Sequence, residues 1–240
     1  MKYRIKFSKS GSMIFLGHLD MMRYFQKAIR RAEVPIAYSA GFSPHQIMSF
    51  AAPLGVGLYS NGEYLDIELT KEAATAPMCR RLNDTMAEGV RILSVKALPE
   101  DAGNAMASVA AAGYTIKLRP GHEPAFSFSS RFDDFMAQET IPYEKETKKS
   151  KKLLDLKEGI FDYQVLEEGI YLLLDASSSG NLKPLMIIDA YYAFMNAFPS
   201  FDEKPGEMDF IITREETYTK DPSGNLIPLE AVGMDIEEDS

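Results

Sequence analysis

The chain has 240 residues, 45% of them hydrophobic and 25% charged. That length covers one large domain or two small ones, and the balance excludes a disordered or fibrous chain. A lone cysteine, Cys79, excludes an internal disulfide and a cysteine-built zinc site, and an iron–sulfur cluster ordinarily needs several thiolates.

No apolar run approaches the roughly 18 residues of a membrane-spanning helix. The opening segment alternates charged with apolar residues instead of forming a leader's apolar core, so the expectation is a cytoplasmic protein with no membrane partner. Net charge is −9, unevenly spread: residues 1–50 carry eight basic side chains against Asp20 and Glu33, a local +6. Acidic residues collect at the other end, where Glu230, Asp235, Glu237, Glu238 and Asp239 form a tail. Such asymmetry points to one face for an anionic partner, although a solvated helix face has the same composition.

In chain order, Lys2–Ser8 reads as a strand with Tyr3, Ile5 and Phe7 on one face and Lys2, Arg4 and Lys6 on the other. A helix follows near Leu16–Glu33, with Leu19, Met22, Phe25, Ile29 and Ala32 as its inward stripe, and Pro35 stops it. Ile36–Ser39 is a short strand. The Gly- and Pro-rich segment after it is long enough to suggest function, and Ile47–Ala51 within it reads as strand. Glu63–Leu69 is a strand, Lys71–Glu88 a second helix and Val90–Leu98 a fourth strand. This β-α-β-β-α-β order is the ferredoxin-like, split βαβ arrangement.

Further on, Tyr114–Arg119 reads as strand and Ser129–Gln138 as helix. Ile141–Tyr143, Leu153–Lys157, Phe161–Leu166 and Gly169–Ala176 follow as strands, then a helix at Leu185–Ala197 and a strand at Met208–Thr219. The expectation is therefore an α+β chain of two tandem ferredoxin-like modules with antiparallel sheets. Residues 1–99 form the first module, 100–113 a linker, 114–229 the second module and 230–240 the acidic tail.

Candidate chemistry concentrates early. His18 and Asp20 open the first helix, and His45 lies in the loop behind it. If that loop folds over the helix start, three readings compete. They are a His₂-carboxylate metal set, a metal-free acid–base pair of His18 and His45, and histidines that merely cap or brace the backbone. His122, in a Pro-Gly turn, reads as exposed and without a role. Arg23, Lys27, Arg30 and Arg31 line one side of the helix. Tyr24, Tyr38 and Phe42 offer aromatic faces for unpaired bases, a pattern suited to RNA. The run with Lys145, Lys148, Lys149, Lys151 and Lys152 is a second basic patch, read first as a solvated hairpin or a mobile loop. Gly41, Gly55, Gly57 and Gly62 match no nucleotide-binding glycine pattern, and no serine sits in a nucleophile-elbow context.

The segment Arg4–Leu69 resembles the opening of the radical SAM-linked (radical SAM-associated) proteins, a domain that occurs alone or fused behind radical SAM enzymes. The resemblance rests on His18-Leu19-Asp20, Arg30-Arg31, Tyr38-Ser39 with Gly41-Phe42, Pro44-His45 and the Gly62–Leu69 strand. Gly17 and Ser43 depart from it, standing where Ser and Asn are expected. It implies partnership with a radical SAM enzyme that would supply the iron–sulfur cluster and S-adenosylmethionine, this chain binding no cofactor itself.

Taken together, the expectation is an accessory module presenting tRNA or rRNA to that enzyme. Arg23, Lys27, Arg30 and Arg31 would hold phosphates, and His18, Asp20, Tyr38, Phe42 and His45 would contact substrate. The runners-up are a metal- or histidine-dependent hydrolase or RNA-processing enzyme centred on His18, Asp20 and His45, and a protein-interaction scaffold.

Overall fold

The structure, a computed structural model, describes residues 1–147, 150–196, 205, 206 and 208–238. It is mixed α+β. In chain order the elements are β1 (Lys2–Lys9), a 3-10 turn (Gly11–Phe15), α1 (His18–Arg31), β2 (Met48–Phe50), β3 (Tyr59–Glu68), α2 (Thr75–Asn83) and β4 (Val90–Ala97). Then come α3 (Ala105–Ser108), β5 (Ala111–Leu118), α4 (Phe132–Met136), β6 (Pro142–Thr147), β7 (Ser150–Asp155), β8 (Ile160–Leu166) and β9 (Gly169–Asp175). The chain closes with α5 (Pro184–Asn196), β10 (Phe210–Lys220) and β11 (Leu226–Pro228).

Two compact units emerge: Met1–Ala110 with Arg214–Ser240, and Ala111–Thr213. The division differs from the expected boundaries because the C-terminal segment returns to the first unit. Ala97 and Met234 exchange backbone hydrogen bonds of 2.8 and 2.9 Å, and Thr75 donates its N–H to the Ile236 carbonyl at 3.0 Å. Two of the acidic residues there are engaged, Glu230 with Lys6 at 2.7 Å and Asp235 with Lys96 at 2.7 Å, and Asp239 lies outside the described residues. The expected linker is also structured, since the Asn104 side chain caps α3 by accepting from the Met106 N–H at 2.9 Å.

In the first unit β1 lies between β3 and β4, antiparallel to both, and β2 pairs antiparallel with the far half of β3. Tyr3, Ile5 and Phe7 of β1 are buried beneath α1 and α2, where Phe25, Ile29, Met78 and Leu82 meet them. The phenyl rings of Phe7 and Phe25 have centroids 4.7 Å apart. Asp20 in the first turn of α1 and Arg30 and Arg31 in the last complement the helix dipole. The Asn83 side chain ties the end of α2 to β4 by exchanging two 2.9 Å hydrogen bonds with the Ile92 backbone.

The other face of β1 is not simply solvated. Arg4 is fully buried, held by Asp66 at 2.8 and 2.9 Å and by the Leu229 carbonyl at 2.9 Å. Gly62, expected in a loop, sits inside β3 because a Cβ there would lie 2.6 Å from the Glu216 Cα.

The second unit has its own antiparallel ladder, with β9 between β5 and β8. Its core is aromatic: Phe132 and Phe135 of α4 pack on Tyr191 of α5 with centroids 5.1 and 5.3 Å apart. β6 and β7 form a separate two-stranded hairpin, one of the two alternatives open for the lysine-rich run. Lys148 and Lys149 of that run lie outside the described residues.

Candidate functional site

Helix α1 presents Arg23, Lys27, Arg30 and Arg31 to solvent, all four exposed. Arg23 makes a 3.5 Å surface pair with Asp20, and Arg31 donates to the Thr85 carbonyl at 2.9 Å. Among the described residues the side chains of Lys27 and Arg30 have no ionic or hydrogen-bonding partner. Tyr24 is turned away from this row. Its hydroxyl accepts the Ala87 N–H at 2.7 Å and its ring packs edge-on to Phe25.

The loop after α1 is closed at its base and open at its tip. The Ser39 hydroxyl lies 2.8 Å from His45 Nδ1 and accepts the His45 N–H at 3.1 Å, while the Ser39 N–H donates to the His45 carbonyl at 2.8 Å. Tyr38 bridges Gln46 across that base. Gly41, with φ +110°, makes the turn that sends Phe42 outward, and the Phe42 ring is fully exposed with Tyr38 half-exposed behind it. The loop is fastened to the helix through Gln46, whose side-chain amide donates to the Gln26 carbonyl at 3.2 Å. On a helix, Arg23 and Arg30 flank Gln26 at three and four residues' distance, so the loop base and the basic row share one side of α1.

His18, Asp20 and His45 each take a different neighbour. His18 sets its ring edge-on to Phe50 at 5.3 Å, Asp20 faces Arg23, and His45 is committed to Ser39. Among the described residues no group of three His, Cys, Asp or Glu side chains could hold a metal ion. His122 is exposed, as expected, and its Nδ1 lies 2.8 Å from Asp209 Oδ1 in the second unit.

A feature that sequence reasoning missed lies beside His18. A small cleft of about 20 Å³, open to solvent, is lined by Phe7, Leu16, Met21, Phe50 and Leu54 together with Lys9, Glu63 and His18. Lys9 and Glu63 are both buried. The Glu63 carboxylate accepts from Arg214 at 2.8 Å and from the Ser60 hydroxyl at 3.0 Å, and Arg214 also donates to the Ala52 carbonyl at 2.6 Å. Burial pushes the Lys9 amine below its ordinary value and the Arg214 charge adds to this, against the opposing pull of Glu63.

Strand alternation carried the signal. Lys9 continues the inward parity of Tyr3, Ile5 and Phe7, Glu63 that of Leu65, Ile67 and Leu69, and Arg214 that of Phe210 and Ile212. A charged residue at an inward position is the anomaly to look for.

No curated protein matches the chain. One family model does, covering residues 2–184 and so both α1 with its loop and the cleft-lining residues from Phe7 to Glu63. The chain belongs to the family described as "Uncharacterized protein conserved in bacteria (DUF2344)".

Proposed function

We propose that this protein is an accessory RNA-binding module that presents tRNA or rRNA to a radical SAM enzyme in the cytoplasm. The observation that carries the reading is the fully exposed Phe42 ring, on a loop hydrogen-bonded to α1 beside its row of exposed cations. An apolar ring held in water has no stabilising role in the folded chain, whereas it offers a stacking platform for an unpaired base. Arg23, Lys27 and Arg30 would neutralise phosphates on either side, and Tyr38 would provide a second ring. Asp20 tempers the row by only one charge.

The enzyme partnership is supported by the resemblance of Arg4–Leu69 to radical SAM-linked proteins and by the single cysteine, which leaves the cluster to another chain. We also read both units as ferredoxin-like. In the first, β4, β1, β3 and β2 follow one another across the sheet, and in the second β5, β9 and β8 repeat the β1, β3, β2 part of that order.

The test is filter binding of cellular RNA at two salt concentrations by wild type and by Lys27→Glu/Arg30→Glu. These two side chains have no partners among the described residues, so the fold is untouched. The reading expects salt-sensitive binding in the wild type. In the variant, the slope of log K against log salt should shrink by about 0.7 for each single-strand phosphate that is no longer neutralised. Equal binding and equal slope in the variant would overturn it.

A further inference from the structure

On the face of the first sheet that turns away from α1 and α2, two neighbouring cross-strand pairs of opposite charge behave differently. Arg4 and Asp66 are partners in the β1–β3 register and close on each other at 2.8 and 2.9 Å. One step along the same face, Lys2 and Glu68 are register partners too. Met1 and Leu69 exchange backbone hydrogen bonds beside them, and the Glu68 N–H donates to the Ile47 carbonyl at 3.1 Å, on the β2 side. Lys2 and Glu68 are therefore a non-bonded pair, the kind whose side chains start closest together and whose opposite charges ordinarily meet. Yet among the described residues neither the Lys2 ammonium nor the half-buried Glu68 carboxylate has an ion-pair or hydrogen-bond partner.

Both side chains line a pocket of about 140 Å³ in the first unit, with Ile47 and Ser49 from one side and Asn104 from another. Asp66 lines it as well but is already satisfied, since Arg4 and the Ala105 N–H occupy its two oxygens. The Ser49 hydroxyl and the Asn104 side-chain NH₂ have no partner among the described residues. A volume less than half of the roughly 300 Å³ at which drug-sized sites begin leaves room for a single ring system. The pocket starts where the Phe42 loop ends: Ile47 follows Gln46, and its N–H donates to the Ala37 carbonyl at 2.9 Å next to the Tyr38–Gln46 bridge.

We infer that this pocket binds one unpaired guanine base, with Glu68 and Lys2 reading its Watson–Crick edge; as a site for RNA it rests on the proposed function. Guanine presents two adjacent donors, N1–H and N2–H, beside the O6 acceptor. The two oxygens of the Glu68 carboxylate match the donors, and the Lys2 ammonium matches O6. Adenine reverses both positions, with an acceptor at N1 and a donor at N6, so it sets like against like at Glu68 and at Lys2. Uracil offers the carboxylate one donor, flanked by acceptors on both sides. The Ile47 side chain supplies apolar surface for the ring.

The experiment is titration calorimetry of the full chain with guanosine 5′-monophosphate, and with adenosine and uridine 5′-monophosphates as controls. The guanine nucleotide is expected to bind about tenfold more tightly than either, within the discrimination that a bidentate base contact ordinarily supplies. Glu68→Gln, and separately Lys2→Met, should each erase most of that preference. Neither side chain has a partner among the described residues, so the urea midpoint should not move. Lys27→Glu/Arg30→Glu should keep the preference. Equal binding of the three nucleotides, no binding of the guanine nucleotide at millimolar concentration, or a preference that survives both pocket variants would overturn the inference. A mononucleotide needs no strand laid along α1, so this result is separate from the filter-binding test. RNA binding without a guanine preference would remove the inference and leave the proposed function standing, and a guanine preference without RNA binding would do the reverse.

Discussion

Replacing Arg214 by Met tests whether the Lys9–Glu63–Arg214 group is a built feature of the first unit. Arg214 and Glu63 are 7% and 5% exposed, and their 2.8 Å contact joins residues 151 apart in sequence. Deleting one partner of such a pair strands the other in a poorly solvated place, which ordinarily costs about 3–5 kcal/mol. The Ala52 carbonyl loses its 2.6 Å donor as well, while the nearby Lys9 amine offsets part of the stranded charge. The lower end, about 3 kcal/mol, is therefore expected.

With a urea dependence near 3 kcal/mol per M, the midpoint of the first unit's transition should fall by roughly 1 M. Far-UV circular dichroism during urea titration measures it. Arg214→Met/Glu63→Gln should recover part of the loss, since the second change removes the stranded charge. A midpoint shift corresponding to less than about 1 kcal/mol, with no recovery in the double variant, would refute the argument that the pair is buried and mutually dependent.

Three further outcomes follow from the same geometry. Phe42→Ala should leave the urea midpoint unchanged, because the ring touches solvent, while weakening single-stranded RNA binding by about 1–3 kcal/mol in a fluorescence anisotropy titration. Burial alone would raise the Glu230 carboxyl, but hydrogen bonds from Lys6 and Ser94 and the charges of Lys6 and Lys96 outweigh it and hold the carboxyl below its ordinary 4.5. A depressed carboxyl stabilises the fold above its unfolded-state value, and the contribution is lost as pH falls through the lower folded-state value. Acid titration of stability should therefore be shallower below about pH 4.5 in Glu230→Gln than in wild type. Charge reversal at Lys27 and Arg30 should reduce the salt dependence of RNA binding without changing thermal stability, measured by scanning calorimetry.

The sheet of the first unit was legible because β1, β3 and β4 alternate cleanly and bury what alternation assigns inward. Helix α1 was legible except at its start. Leu19, Met22 and Phe25 recur every three residues and so drift about 60° per step around the helix, which carries Leu19 out to solvent. The structure buries Met21 in its place, four residues before Phe25. Helix α2 spans Thr75–Asn83 instead of the longer stretch its composition favours, because tertiary bonds claim both flanks. The Ala73 N–H donates to the Tyr3 hydroxyl at 3.0 Å and the Ala87 N–H to the Tyr24 hydroxyl at 2.7 Å.

The basic row and the exposed loop aromatics were readable from spacing and from Gly41 and Pro44. The attachment of the loop to α1 was not, since it rests on one side-chain amide reaching a mid-helix carbonyl. The return of the C-terminal segment to the first unit was hidden for a similar reason. A cluster of acidic residues looks solvated until Lys6 and Lys96, from remote strands, are seen to meet it. Lys9, Glu63 and Arg214 were each visible as charges of inward parity, but their meeting depends on three segments widely separated in the chain.

Ultraviolet crosslinking of cellular RNA to the purified chain, with the crosslinked peptides mapped by mass spectrometry, tests the central claim most directly. The account predicts adducts on Tyr38 and Phe42, diminished when Lys27 and Arg30 are reversed to Glu. Adducts confined to the hairpin around Lys145–Lys152, or no adducts at any salt concentration, would contradict it.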